Sequence, residues 1–287
     1  MAVTDPGNVT PQEHTKPNVA LKASAEPNSV PPGELNVTSQ ASAQPNSVPP
    51  GGPNVASQAS AEPNVARMYD YLLGGTDNLP VDREAADRML AVLPGVRVDA
   101  RENRAFLGRA VRFLAGQGIR QFLDIGSGLP TRRSTHEVAA RAAAGCRTVY
   151  VDNDPEVVSH AGALLRDVSG TRAVLGDLRR PQEILGNPGV RTLLDLDRPV
   201  AVLLLSIAHV AADDPRPVVA ALMAPLPSGS HLVLSHVSTD PRAESVAALF
   251  DGLELVPPGV VTLPEWRPRP LAGARTPHFL CGVARKP

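Results

Sequence analysis

A carboxylate at 124, glycines at 126 and 128 with Ser127 between them, and a second carboxylate at 152 follow one another in the order strand, acid, Gly-x-Gly, helix, strand, acid. That order describes a nucleoside-binding βαβ unit. Gly126 and Gly128 let the chain turn sharply and bring its backbone against a ligand with no Cβ between them. Asp152 ends the second strand, where a carboxylate accepts hydrogen bonds from both hydroxyls of a ribose, each charge-assisted bond worth roughly 1.5–3 kcal/mol. A dinucleotide loop needs a third glycine three residues after the second, so that the helix N-terminus closes on a pyrophosphate. Thr131 stands there instead. Asp124 would repel a pyrophosphate but suits a ligand whose near end carries a sulfonium and an ammonium. The loop therefore predicts S-adenosylmethionine as the cofactor.

Those residues need elements to hold them. Gln121 to Ile125 reads as a buried strand, and Thr131 to Ala144 as a helix with Ser134 or Thr135 at its N-cap, Val138 and Ala142 facing a sheet, and Gly145 at its end. Alternation continues through helix Glu156 to Val168, strand Arg172 to Leu175, short helices to Leu194, strand Val200 to Leu205, helix Arg216 to Leu222 and strand His231 to Val237. Strands separated by helices imply a parallel sheet covered on both faces. Two later strands, around Leu253 to Val256 and Phe279 to Val283, have no long helix between them and are expected to pair antiparallel at an edge. Upstream, helices are expected at Val65 to Leu73, Asp82 to Leu93 and Ala100 to Ala115. The fold class is thus α/β, a doubly wound, mostly parallel Rossmann-like sheet with a helical N-terminal extension. Its ligand lies beyond the carboxyl ends of the strands, where Gly126, Asp152, Asp177 and Ser206 gather.

With a formal net charge of −1 over 287 residues, a pI near 6.7 and only 3% aromatic side chains, the chain lacks the basic footprint and stacking surface of a nucleic-acid binder. Cys146 and Cys281 have no partner at metal-ligand spacing, so both are expected to be reduced and structural, and no metal site is expected. The start lacks a basic, apolar leader, and the run Val200 to Ile207 is too short to span a bilayer. A cytoplasmic protein with no membrane partner is the expectation. Residues 23–40 recur almost intact as 41–58, and a third copy starts at Ala59. These 18-residue units are rich in Pro, Ser and Asn, and Val30, Val37, Val48 and Val55 are too few and too small to give each a hydrophobic face. Residues 1–62 are therefore expected to be disordered, with a helical cap over 63–118 and a Rossmann-like core over 119–287.

From Pro63 to the end the chain resembles an S-adenosyl methyltransferase-like family abundant in actinobacteria and long catalogued as a domain of unknown function. The blocks that carry the likeness are PNVARMYDYLLGGTDN (63–78), ARENRAFLGRAVRFLAGQGIRQFLDIGSGLPT (100–131), THEVA (135–139), VYVDNDP (149–155), LDLDRPVAVLLLSIAHV (194–210), PSGSHLVLSH (227–236) and FDGLELVPPG (250–259). The resemblance implies a class I methyltransferase fold with a seven-stranded sheet, S-adenosylmethionine as cofactor, and an acceptor that the family does not reveal. It puts Asp124, Gly126, Ser127 and Gly128 at the methionine half of the cofactor, Asp152 at the ribose, Asn153 beside the adenine and Asp177 near its amino group. For Asp177 the competing reading is a plain Gly-Asp strand-end turn. Tyr69, Tyr71, Gly75, Asp77 and Asn78 would lie over the cofactor. Arg101, Asn103 and Arg104 would orient the methionine carboxylate, although an exposed helical face explains them nearly as well.

Methyl transfer is a displacement at an already activated carbon, so a protein chiefly aligns the acceptor and excludes water, and a base is optional. His209, just past the fourth strand, is the candidate catalytic base, ahead of His136 and His236. No Ser/His/Asp arrangement or phosphate loop is present. Two readings follow: an enzyme that methylates a small molecule such as a secondary metabolite, or a degenerate methyltransferase that binds the cofactor in a regulatory or interaction role. The connection Ser238 to Arg242 is shorter than the family's usual helix and loop, which predicts a more open acceptor site with weak or absent turnover. The oligomeric state is left open.

Overall fold

Side chains on successive strand residues point to opposite faces, and the central strands here are apolar at nearly every position, so the sheet must be buried on both sides. The computed structural model describes residues 62–131, 133–208, 214–237, 244–268 and 279–287, all within one unit, Ser57–Pro287. The repeats at 1–61, His209 and the connection at 238–243 lie outside the described residues. The strands are β1 (Gln121–Ile125), β2 (Arg147–Asp152), β3 (Thr171–Leu175), β4 (Ala201–Leu205), β5 (His231–Val237), β6 (Glu254–Leu255), β7 (Val261–Thr262) and β8 (Phe279–Arg285). Their order is β3-β2-β1-β4-β5-β8-β6, with β7 also on β8. β1 to β5 are parallel, and β8 runs antiparallel to β5. The order reverses between β1 and β4, which opens a crevice at their carboxyl ends.

Phe122, Leu203, Val233 and Val283 face α3 (Val96–Gly116) and α4 (Thr135–Ala142) on one side. Leu123, Val202, Leu204, Leu232 and Leu234 face the other side, covered by α6 (Pro181–Gly186), α7 (Pro188–Leu193), α8 (Arg216–Met223) and α9 (Glu244–Ala247). Trp266, fully buried, meets Phe106 and Phe113 edge-on at 5.4 and 5.9 Å, while Arg109 Nε donates to its carbonyl at 2.8 Å.

Helix ends follow local chemistry. Asn64 caps α1 (Val65–Leu73) by accepting from the Ala66 and Arg67 amides, and Gly74 ends it at φ +81°. Asp154 caps α5 (Pro155–Leu164), which packs on β2 and β3 and stops four residues short of the expected Val168. α2 (Pro80–Val92) starts two residues before the expected Asp82, because proline is pre-organised for the first helical turn. α3 starts at Val96 rather than Ala100: its first turn packs on α1 and α2 around Leu72, Ala86 and Ala100, where the apolar stripe facing the sheet has not yet begun.

The edge departs from a single strand near 253–256. β6 pairs with Arg285 and Ala284, β7 with Cys281 and Leu280, both along the outer side of β8. Pro257 and Pro258 interrupt the strand because neither can donate to the ladder. Seven strand positions therefore hold eight pieces. No helix among the described residues is long and apolar enough to cross a membrane.

Candidate functional site

The Gly126 amide donates to the Val151 carbonyl at 2.8 Å and the Ser127 amide to the same oxygen at 3.2 Å, which ties the loop after β1 to β2. Gly126 and Gly128 have φ of +65° and +59°. A Cβ at Gly126 would lie 2.4 Å from Ile207 Cγ1, and one at Gly128 would lie 3.4 Å from Ala66 Cβ. Only glycine fits the first position, for both backbone and space. The Gly128 amide donates to Asp152 Oδ2 at 2.9 Å, and the Asp154 amide to Asp152 Oδ1 at 3.1 Å. The β2 acid is thus bound to the glycine loop, and burial raises its pKa. Asp124 is 5% exposed, and its Oδ2 accepts from Thr135 Oγ1 at 2.6 Å. Burial pushes its pKa up to about 6, against the opposing pull of Thr135 and the Arg104 charge.

A polar network joins the helical cap to the sheet. Tyr69 Oη donates to the Ala100 carbonyl and accepts from Asn103 Nδ2, both at 3.2 Å. Asn103 Nδ2 also donates to Ser206 Oγ at 2.9 Å, Ser235 Oγ donates to Asn103 Oδ1 at 2.7 Å, and the Ser206 amide donates to Ser235 Oγ at 3.0 Å. Asn103 and Ser235 are buried. Ser206, at the end of β4, holds φ at +58°, a left-handed conformation that costs a residue with a Cβ roughly 1–2 kcal/mol and that these bonds offset. The Arg104 guanidinium sits 5.7 Å from the Tyr69 ring centre.

The cap also spans the mouth of the crevice toward α5. Asn64 Nδ2 donates to Asp154 Oδ2, Arg67 bridges Asp82 and Glu156, and His160 Nε2 lies 3.3 Å from Asp77 Oδ1. Gly75 closes over the buried Asp70 carboxylate, where a Cβ would meet Oδ1, while the Asp77 amide and Asn78 Nδ2 donate to Asp70 Oδ2 at 2.8 and 2.9 Å. Tyr71 is not brought to the glycine loop: its hydroxyl donates to Asp87 at 3.0 Å and Arg97 stacks on its ring at 5.1 Å, nearer the start of α3 than Tyr69. Two residues along a helix are rotated by about 200°, so Tyr69 and Tyr71 cannot share a face. Asp177 is paired with Arg179, whose Nε lies 3.0 and 2.9 Å from its two oxygens, and this holds its pKa below the ordinary value. Asn153 and Arg101 are exposed. His136 is engaged behind the loop, its Nδ1 2.7 Å from Tyr150 Oη and its amide donating to the same oxygen at 2.9 Å, and burial lowers its pKa. Burial also lowers the pKa of His236.

The family model described as S-adenosyl methyltransferase matches residues 54–245. The chain belongs to this S-adenosyl methyltransferase family. Among solved structures, one described as a candidate methyltransferase from Thermobifida fusca YX is 39% identical and superposes with a TM-score of 0.74, covering 79% of this chain and 96% of that one. A DUF574 family protein from Streptomyces avermitilis MA-4680, also 39% identical, gives 0.71 and covers 79% and 98%. No curated protein matches the chain.

S-adenosylmethionine is the cofactor of this methyltransferase family, and the crevice fits it. Neither loop glycine has a Cβ, which lets Ile207 and Ala66 pack close against the turn, and the carboxylates at 124 and 152 are of the kind that a cationic amino-acid end and a ribose would need as acceptors. The surroundings of the loop also include residues that the glycine motif does not mark. Asn64 and Asp154, each a cap residue, the latter followed directly by Pro155, carried N-cap signatures that would have located them. Ile207, which fixes Gly126, and Ser235, which completes the network, had no local signal.

Proposed function

We propose that this chain transfers the methyl group of S-adenosylmethionine to a small-molecule acceptor. The observation that carries this reading is the acid-flanked glycine loop, covered at Gly128 by Ala66 of α1, a helix tied to β4 and β5 through Tyr69, Asn103, Ser206 and Ser235. A loop covered in this way suits a small acceptor better than a duplex or a folded partner, and the near-neutral charge gives no steering toward nucleic acid. Asp152 would exchange its bonds to the Gly128 and Asp154 amides for ribose hydroxyls, with Asn153 beside the adenine and Asp177 available to its amino group. Asp124, Gly126, Ser127 and Gly128 would face the methionine half, with Arg104 aimed at its carboxylate. Bound there, the cofactor supplies a methyl carbon already activated by a sulfonium. The chain's own residues then align the acceptor and shut out water. His209, in the segment after β4, is the proposed base for acceptors that must lose a proton.

The test follows methyl label from the cofactor into small molecules extracted from an actinobacterial culture, with the full-length protein and its Asp152→Ala variant. Label should enter at least one extract component with the wild type and none with the variant. Saturable binding of S-adenosylmethionine with no transfer to any fraction would refute catalysis and leave a cofactor-binding protein.

A further inference from the structure

At the end of the sheet opposite the crevice, where β1, β2 and β5 begin and β8 ends, lies a cavity of about 640 Å³. It is lined by four arginines, Arg120, Arg147, Arg198 and Arg285, together with His231 and one acid, Asp195. Glu254 pairs with Arg285 at 3.1 Å, so the arginines outnumber the adjacent carboxylates four to two, in a chain with 28 basic and 29 acidic side chains overall. Cations gathered around a concavity repel one another unless an anion sits between them.

Structural duties do not use these groups up. Arg120 Nη1 donates to the Ala115 and Ile119 carbonyls at the end of α3, Arg147 Nη1 to the Leu193 carbonyl at the end of α7, and Arg285 Nη1 to Glu254. Each of the three is engaged through Nη1, and a guanidinium has five donors on three nitrogens. Arg198 makes no side-chain bond among the described residues and is exposed. His231 faces Arg285 across the β5–β8 ladder, is 7% exposed, and has a buried Nδ1 with no hydrogen-bond partner. Unsatisfied buried ring nitrogens are uncommon in folded proteins.

We propose that this basal cavity is a second binding site, for a small phosphorylated metabolite. The phosphate oxygens accept from the remaining guanidinium donors of these arginines, and the carbon body rests on apolar residues of the wall, among them Phe113, Ile119 and Val256. A phosphate is favoured over a carboxylate because its oxygens point in several directions and accept from several forks, whereas one planar fork satisfies a carboxylate. The volume falls in the range of about 300–1,000 Å³ typical of small-molecule sites and exceeds what a bare oxyanion fills. The inference does not depend on the methyl-transfer reading, because the cavity lies at the other end of the strands.

The experiment is calorimetric titration of the full-length protein with ribose 5-phosphate, inorganic phosphate and neutral ribose at constant ionic strength. Ribose 5-phosphate should saturate a single site more tightly than inorganic phosphate, and ribose should not bind. The double variant Arg147→Ala/Arg198→Ala should weaken ribose 5-phosphate at least tenfold, while Arg166→Ala, an exposed arginine outside the cavity, should leave it unchanged. S-adenosylhomocysteine binding, equal in all three proteins, reports that each is folded. Absence of saturable binding by both phosphates overturns the proposal. So does equal weakening by Arg166→Ala, ribose binding as tightly as its phosphate, or inorganic phosphate binding as tightly as ribose 5-phosphate.

Discussion

Cofactor affinity should depend on pH through Asp124, and the size of the effect follows from its burial. Burial carries this carboxyl from an ordinary 3.8 to about 6 in the folded chain. The gap of about two pH units corresponds to about 3 kcal/mol between the charged and neutral forms. With no cofactor, the folded state holds a proton there that the unfolded state has lost, so stability falls as pH rises from about 4 to about 6. A cation bound beside the carboxyl reverses the preference and expels that proton. If binding restores the ordinary value, affinity rises with pH up to about 6 and then levels, and S-adenosylmethionine binds about tenfold more weakly at pH 5 than at pH 7. Calorimetry at pH 5 in two buffers of different ionisation enthalpy should register close to one proton released per cofactor. Asp124→Asn should remove both the slope and the proton. Asp152, whose pKa burial also raises, is the competing source, so Asp152→Asn is measured beside it. Equal affinity at pH 5 and pH 7 in the wild type, or a slope that survives Asp124→Asn, would refute the reasoning.

Gly126→Ala places a Cβ on Ile207 at positive φ and should lower the melting temperature by several degrees and abolish the shift given by S-adenosylhomocysteine, whereas Gly162→Ala, with nothing within 4 Å, should gain roughly 0.5–1 kcal/mol by helix propensity. Denaturant melts of the two variants check both signs. Asn103→Ala leaves the Ser206 and Ser235 hydroxyls short of a partner and should cost about 1–3 kcal/mol, read from the urea midpoint at unchanged m. Removing residues 1–61 should leave melting temperature and cofactor affinity unchanged, because the repeats hold too little apolar surface to dock; a clear drop in either would show that they contribute to the fold.

The first βαβ unit could be read from the chain because its information is local. Apolar runs mark β1 and β2, glycines mark the turn, and Asp124 and Asp152 stand at strand ends whatever packs around them. The antiparallel edge was equally legible, since no long helix separates its strands. Pro257 and Pro258 then split that edge in two, a feature their missing amides imply but that a search for runs of β-formers overlooks. The cap was legible as helices but not as contacts. Tyr69 and Tyr71 look equivalent in a string of letters, and only the rotation of α1 against α3 sends one to Asn103 and the other to Asp87. Likewise, nothing near Asp177 in sequence ranks a ligand role above its pairing with Arg179, two residues away.

Composition, periodicity and one glycine motif were enough to specify an α/β sheet, its cofactor class and the strand ends that carry the acids, because each depends on residues within a few positions of one another. The protonation of Asp124, the fit of Gly126 against Ile207, the Asn103 and Ser235 network that holds Ser206, and the guanidinium groups around the basal cavity came only with the folded chain. Each joins residues from separate elements, as Asn103 and Ser235 do across 132 positions. Desolvation, steric fit and converging charge depend on distance in space, which chain order does not encode position by position.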